Sequence, residues 1–240
     1  MSFLSWGQAA GRPLAAPADD GPGNPWFSWQ YVQDNADTIV AKLGFHLGLT
    51  AETLLIALLV ALPLAVVAYW IRPLTAPILA FSGVLYTIPS LALLALLAPL
   101  LGPISRTTVL IVLVLYALLV LIRNALTGLT QVPADVRDAA SGMGYGRFGR
   151  LWHVELPLAL PGIVTGVRLA TVSTVALVTV GSLIGNGGLG DLILGGFGHN
   201  FYKAEIVTGA VLCVALALLL DLLLAGLGRL LTPWLRRRTS

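Results

Sequence analysis

A polar connection between long apolar stretches, running from about Arg123 to Leu160, holds the residues whose types could do chemistry. Its small, flexible and charged positions are, in chain order, Asp138, Ala139, Ala140, Gly144, Arg147 and Arg150, followed by Val154, Leu156 and Pro157. Alanine lets another backbone approach closely, glycine permits a tight turn, and arginine binds carboxylates. The set contains no nucleophile with an adjacent base, so it indicates a docking surface rather than a catalytic centre.

Little else in the chain could catalyse a reaction or hold a metal. No G-x-x-x-x-G-K-[ST] loop occurs, so we expect the chain not to hydrolyse ATP alone. His46, His153 and His199 are far apart and fall on different predicted sides of a membrane, which argues against a shared metal site. The run Val180–Gly190 contains G-x-G-x-x-G, but it follows an apolar span rather than a strand, so we interpret it as a glycine-rich outer loop.

Two charged residues, Arg168 and Asp221, fall within apolar stretches near predicted inner ends. An unpaired charge in lipid is costly, so such residues pair, line a path or extend to the headgroups. One interpretation is a mutual ion pair near an inner gate. The other is that each side chain reaches the headgroup region separately.

The composition shows what surrounds these residues. Of 240 residues, 57% are hydrophobic and 10% are charged, with a mean hydropathy of +0.89, whereas soluble domains carry roughly 25% charged residues. Lipid is therefore the expected solvent. The net charge of +3 is too small to indicate nucleic acid, and the single Cys213 cannot form a disulfide within one chain.

The apolar residues divide into five runs long enough to cross a bilayer core, which takes about 20 helical residues. The predicted spans are Ala51–Trp70, Pro77–Leu101, Thr107–Ile122, Pro161–Ile184 and Glu205–Leu224. Proline removes a helical hydrogen bond, so we expect the second span to be kinked or broken near Ile88 and Pro89. Between the third and fourth spans, short helices are expected after Pro133 and from Arg147 to Val154. We expect Pro157 and Pro161 to separate the second of these from the fourth span.

Arginine placement sets the expected orientation, because short cytoplasmic loops retain positive charge. With the amino terminus outside, the inner side holds Arg72, Arg123, Arg137, Arg147, Arg150, Arg229, Arg236, Arg237 and Arg238. The outer side then keeps only Arg12, Lys42, Arg106 and Lys203. The sequence thus predicts an all-α multi-pass membrane protein with an external amino terminus and a cytoplasmic carboxyl terminus.

Three regions follow from this assignment. Residues 1–45 are expected to form a flexible or interfacial lead, since Gly11–Pro25 is rich in Gly, Pro and Ala. Residues 46–234 are the predicted transmembrane domain, and residues 235–240 a cytoplasmic basic tail.

The polar connection resembles the "EAA" loop of binding-protein-dependent ABC importer permeases, whose pattern is EAA, three residues, G, nine residues, I-x-LP. Asp138 replaces the Glu and Val154 the Ile. The resemblance implies a five-helix, MetI-like permease fold in the bacterial inner membrane. It also implies that the loop docks on cytoplasmic ATP-binding subunits, and that a second permease subunit and an extracellular substrate-binding protein complete the transporter.

Four stretches narrow the resemblance to the osmoprotectant branch: Tyr86–Gly102, Val136–Arg147, Val154–Arg168 and Val180–Gly190. That branch implies uptake of glycine betaine, choline, carnitine or proline betaine by alternating access. Aromatic faces bind quaternary amines, but the spacing of Phe81, Tyr86, Tyr116, Phe197, Phe201 and Tyr202 assigns no substrate site. We expect no cofactor, no metal and no enzymatic activity.

Two alternatives remain at this point. One is an amino-acid importer permease of the methionine type, which shares similar stretches. The other is a secondary transporter without an ATPase, which would need coupling charges in the membrane or an inverted repeat.

The arginine distribution gives a first testable prediction, that Asn24 lies outside the cell and Ser240 inside. Reporter fusions or cysteine labelling at these two positions should show opposite accessibility. Accessibility from the same side would rule out the five-span topology.

Overall fold

The computed structural model describes residues 24–234, and its regular elements are all helices. The α-helices are α1 (Trp29–Asp34), α2 (Ala36–Trp70), α3 (Arg72–Thr87), α4 (Ser90–Leu101), α5 (Arg106–Thr130), α6 (Ala134–Gly142), α7 (Arg147–Arg150), α8 (Leu156–Val178), α9 (Gly190–Gly198) and α10 (Lys203–Leu231). A π-helical turn, Leu151–Glu155, joins α7 to α8, and a 3₁₀ segment, Thr179–Ile184, follows α8. The predicted all-α class is confirmed for the described residues.

Four continuous helical stretches are long and apolar enough to cross a membrane: Ala36–Trp70, Arg106–Thr130, Arg147–Ile184 and Lys203–Leu231. The helices α3 and α4 together supply a fifth span, although they meet at an angle of 93°. The bend lies at Ile88 and Pro89, whose backbones are extended. The break predicted from Pro89 is therefore present, because proline cannot donate to the carbonyl of Leu85.

The first long helix differs from the prediction, since α2 begins at Ala36 rather than Ala51, inside the predicted lead. Its polar residues have partners there. Lys42 lies 2.6 Å from the Asp191 carboxylate of α9, and the buried His46 accepts a hydrogen bond from the Leu189 amide at 3.3 Å. A window of mean hydropathy leaves out a segment that contains such polar residues. In the structure these residues have partners, so the helix includes the segment. Residues 1–23 of the lead and the tail 235–240 lie outside the described residues.

Other elements also differ from the prediction. The helix α5 continues past Arg123 to Thr130. The π-helical turn carries the chain from α7 into α8 without interruption, so the predicted separation at Pro157 and Pro161 is wrong. Pro157 falls at the start of α8, where its missing amide costs little, whereas Pro161 lies inside the helix. A helix that was not predicted, α9, follows the glycine-rich run Val180–Gly190.

Small residues let the spans approach closely around α5, which packs against α2, α3, α4 and α8. In α2, Ala57, Ala61 and Ala65 recur at helical spacing and are fully buried. In α8, a side chain added at Gly162 would come within 2.8 Å of the Gly128 backbone in α5. Such contacts between small residues are typical of helix packing in membranes, where apolar transfer gives no driving force.

Candidate functional site

The helix α6 and the turn after it form the first half of the polar connection. The helix starts after Pro133 with Asp135 in its first turn, as predicted. Beyond its end, the Tyr145 amide donates to the Ala140 carbonyl at 3.1 Å and the Gly144 amide to the Ser141 carbonyl at 3.0 Å. These two bonds define a Schellman motif, the common glycine-terminated end of a helix.

This motif explains the spacing between Ala140 and Gly144. A Schellman motif places its left-handed residue four positions after the residue whose carbonyl closes the longer hydrogen bond. Gly144 has a φ of +87°, and a Cβ added to it would meet no other atom within 4 Å. The position therefore needs glycine for its backbone angle and not for lack of space. Ala140 is buried, whereas Asp138 and Ala139 are exposed.

Past Gly144 the chain folds back onto the end of α2. The Arg147 guanidinium lies 4.3 Å from the centroid of the Trp70 ring and donates a hydrogen bond of 3.1 Å to the Trp70 carbonyl. Phe148 packs edge-on against the same ring at 5.0 Å. Arg147 thus attaches the short helix α7 to the last turn of α2.

A buried carboxylate anchors the second half of the connection. Glu155 is fully buried, and its Oε1 accepts from Arg150 Nε at 2.9 Å and from the Tyr69 hydroxyl at 3.3 Å. Arg150 also donates to the Ser141 hydroxyl at 2.8 Å, and Arg137 donates to the Tyr69 hydroxyl at 3.2 Å. The hydrogen bond to Tyr69 raises the pKa of the Arg137 guanidinium, so this side chain remains charged. The network joins α6, α7, the π-helical turn and α2.

The arginines at Arg147 and Arg150, expected to meet an acidic partner surface, are thus used within this chain. Sequence reasoning missed Glu155 and Tyr69 as their partners. It also missed the three most exposed apolar side chains of the connection, Met143, Phe148 and Trp152, which are 66–71% exposed. Their signal was present, since they are large apolar residues in a polar segment. Val154, Leu156 and Pro157 are half-buried where the π-helical turn enters α8.

Arg168 of α8 and Asp221 of α10 lie in direct contact. Two hydrogen bonds of 2.8 Å join the guanidinium nitrogens Nε and Nη2 to the two carboxylate oxygens. This bidentate geometry neutralises both charges within the apolar stretches. Arg168 lies about 18 Å along α8 from Leu156, which is closer to the middle of the span than expected. A role at an inner gate stays a prediction.

The aromatic candidates fall into separate groups. The Tyr86 and Tyr116 rings lie 5.5 Å apart beside the break between α3 and α4. Phe197 and Phe201 pair near the amino-terminal end of α10, also at 5.5 Å. The structure therefore brings Tyr86 and Tyr116 into contact although they are far apart in sequence. Their spacing alone could not show this contact.

Comparison with known proteins places these features in context. Residues 54–237 match the family described as binding-protein-dependent transport system inner membrane component. The chain is 36% identical to the choline transport system permease protein OpuBD of Bacillus subtilis, over 88% of this chain and 92% of that protein. It is also 36% identical to the osmoprotectant import permease protein OsmW of Salmonella typhimurium, over 85% and 96%. A chain of the inward-facing MetNI methionine ABC transporter shares the fold, with a TM-score of 0.74 and 23% identity over 82% of this chain and 97% of that one.

The buried network predicts that Glu155→Ala will release the connection from α2. Removing one member of a buried ion pair costs about 3–5 kcal/mol, and partial exposure of Arg150 reduces that effect. We expect trypsin cleavage after Arg147, and amide exchange across 141–150, to rise about tenfold or more. Glu155→Gln should have a smaller effect, because an amide oxygen still accepts from Arg150.

Asp138→Ala is the matched control, since it removes an exposed carboxylate from the same connection. If Glu155→Ala leaves cleavage and exchange at the level of this control, the buried carboxylate does not hold the loop.

Proposed function

The chain belongs to the family of binding-protein-dependent transport system inner membrane components, and on that premise we propose that its cargo is a quaternary amine osmoprotectant. It is the permease subunit of an ATP-driven ABC importer of the inner membrane, and it works with an ATP-binding subunit and a substrate-binding protein. The finer points below, namely the cargo, the docking residues, the pairing and the absence of catalysis, are our proposals.

The names of its relatives support the cargo. Permeases for choline, for glycine betaine with carnitine and choline, and for osmoprotectants share 34–36% of their residues with this chain over most of its length. We infer that glycine betaine, choline, carnitine or proline betaine passes through this subunit. The alternative, a methionine-type amino-acid permease, is supported only by the shared fold of the methionine transporter.

The polar connection is the proposed docking site for the ATPase. The exposed side chains of Met143, Phe148 and Trp152 give it an apolar surface suited to a groove on a partner. Behind that surface, the Glu155 network and the Arg147–Trp70 contact attach the loop to α2. The π-helical turn continues it into α8. A displacement imposed by ATP binding would therefore move both spans rather than bend the loop.

We further propose that two permease subunits pair and that the translocation path lies between them. Large apolar side chains on α3, α4 and α10 remain exposed in the single chain, which leaves faces for a second subunit and for lipid. Alternating access then results from the ATPases moving the coupling loops. This subunit performs no chemistry of its own, because hydrolysis of ATP belongs to its partner. A secondary transporter is less well supported, since Arg168 and Asp221 neutralise each other.

Replacing Gly144 with Leu tests the coupling loop. A side chain at φ +87° costs about 1–2 kcal/mol and turns the chain after α6 away from its docking geometry. We expect substrate uptake and substrate-stimulated ATP hydrolysis in vesicles to fall about tenfold or more, while membrane insertion remains normal.

Gly142→Leu is the control, because Gly142 ends α6 without a positive φ and has open space around it. It adds the same bulk without the backbone strain, so it should reduce coupling less. Normal transport by Gly144→Leu, or transport by the purified chain with no ATPase, would exclude the proposed coupling role.

The cargo is tested by deleting this subunit in its native host. Cells without it should lose binding-protein-dependent uptake of at least one quaternary amine under osmotic stress. Radiolabelled glycine betaine, choline, carnitine and methionine should be measured in parallel, with the subunit restored on a plasmid as the control. Loss of methionine uptake alone would favour the amino-acid alternative.

A further inference from the structure

The break between α3 and α4 lies deep in the membrane-spanning region. Tyr116, which contacts it, is about 15 Å along α5 from Arg106, and Tyr86 is about 21 Å along α3 from Arg72. Since the hydrocarbon core is about 30 Å thick, the break falls near its middle whichever way the chain is oriented.

The backbone at the break lacks part of its helical hydrogen bonding. Pro89 has no amide to bond the Leu85 carbonyl, and the Ile88 carbonyl is satisfied by the Tyr116 hydroxyl instead. Around the break, Tyr86, Thr87 and Pro89 remain exposed. Non-helical backbone is tolerated at this depth only where protein buries it or where it lines a water-filled cavity. The open side of the break therefore faces a polar path or a partner subunit rather than lipid.

An aromatic surface lies at this break. The Tyr86 and Tyr116 rings are 5.5 Å apart and tilted by 51°. Tyr116 is buried and held by its bond to Ile88, whereas Tyr86 is 43% exposed. The small cavity behind Ser90 measures only about 10 Å³, room for about one water. A ligand would therefore lie on the open face of Tyr86, next to backbone carbonyl oxygens.

We propose that Tyr86, supported by Tyr116 and by the carbonyl groups of Leu85, Tyr86 and Thr87 at the end of α3, forms a binding site for quaternary ammonium groups within the membrane. An aromatic face and carbonyl oxygens both attract a cation, and neither demands the hydrogen-bond donor that a quaternary nitrogen lacks. A site without a formal negative charge also holds its ligand weakly enough to release it. This inference rests on the proposed function and gives it a site.

The test uses the purified permease–ATPase complex in nanodiscs without a binding protein, probed with choline by saturation-transfer NMR. We expect binding by the unaltered protein and by Tyr86→Phe, which keeps the aromatic face. In Tyr86→Leu the dissociation constant should rise about tenfold or more, since a desolvated cation–π contact contributes that much. Phe81→Leu is the matched control, because Phe81 is an exposed aromatic residue of the same helix.

Charge is tested separately with 3,3-dimethyl-1-butanol, the neutral isostere of choline, which should bind about tenfold more weakly. Equal binding of the isostere, unchanged choline affinity in Tyr86→Leu, or no choline binding by the unaltered complex would each overturn the site. Uptake assays in vesicles with the binding protein then distinguish a wrong binding site from a wrong cargo. If quaternary amines are still taken up, only the site is wrong, whereas no uptake of any of them would remove the cargo as well.

Discussion

Burial of the Glu155 carboxylate is the constraint on which the polar connection and the helices around it depend. A carboxylate without water must be paired and hydrogen-bonded, and removing a partner leaves an uncompensated charge. Arg150 and Tyr69 supply the pairing here. Arg150 lies five residues before Glu155 in the same helical stretch, and its second hydrogen bond, to Ser141, requires that the chain turn back after α6. Tyr69 can reach Glu155 only if the end of α2 lies beside the π-helical turn. One buried group thus fixes the positions of the loop, α2 and the start of α8 relative to one another.

Within the membrane the corresponding constraint is close approach of backbones. Apolar side chains gain nothing by leaving lipid for protein, so small residues and good contacts hold the spans together. Gly128 and Gly162 permit the crossing of α5 and α8, and the alanines of α2 do the same on another side of α5. The two charges within the apolar stretches of α8 and α10, Arg168 and Asp221, pair with each other.

Local features were predictable from sequence, whereas most long-range partners were not, the Arg168–Asp221 pair being the exception. Pro89 predicted the break because its effect on the helix is a matter of covalent structure. Gly144 predicted a turn, although only the structure shows that Ala140 and Gly144 belong to one Schellman motif. The start of α2 could not be found by hydropathy, because the polar Lys42 depends on Asp191, which is distant in sequence. The contacts of Arg147 with Trp70 and of Tyr86 with Tyr116 also join residues that are distant in sequence, so they could not be predicted either.

The helix α5 connects the two ends of the proposed mechanism. It packs against α2 and α8, the spans attached to the proposed coupling loop, and also against α3 and α4 on either side of the break. Its Tyr116 holds the Ile88 carbonyl directly. A movement of α2 and α8 therefore reaches the break through α5, and the break is where a change of angle costs least, because Pro89 has already removed a helical hydrogen bond. The same proline leaves the Leu85 carbonyl without its helical donor beside Tyr86, so the bend in the span and the proposed site coincide.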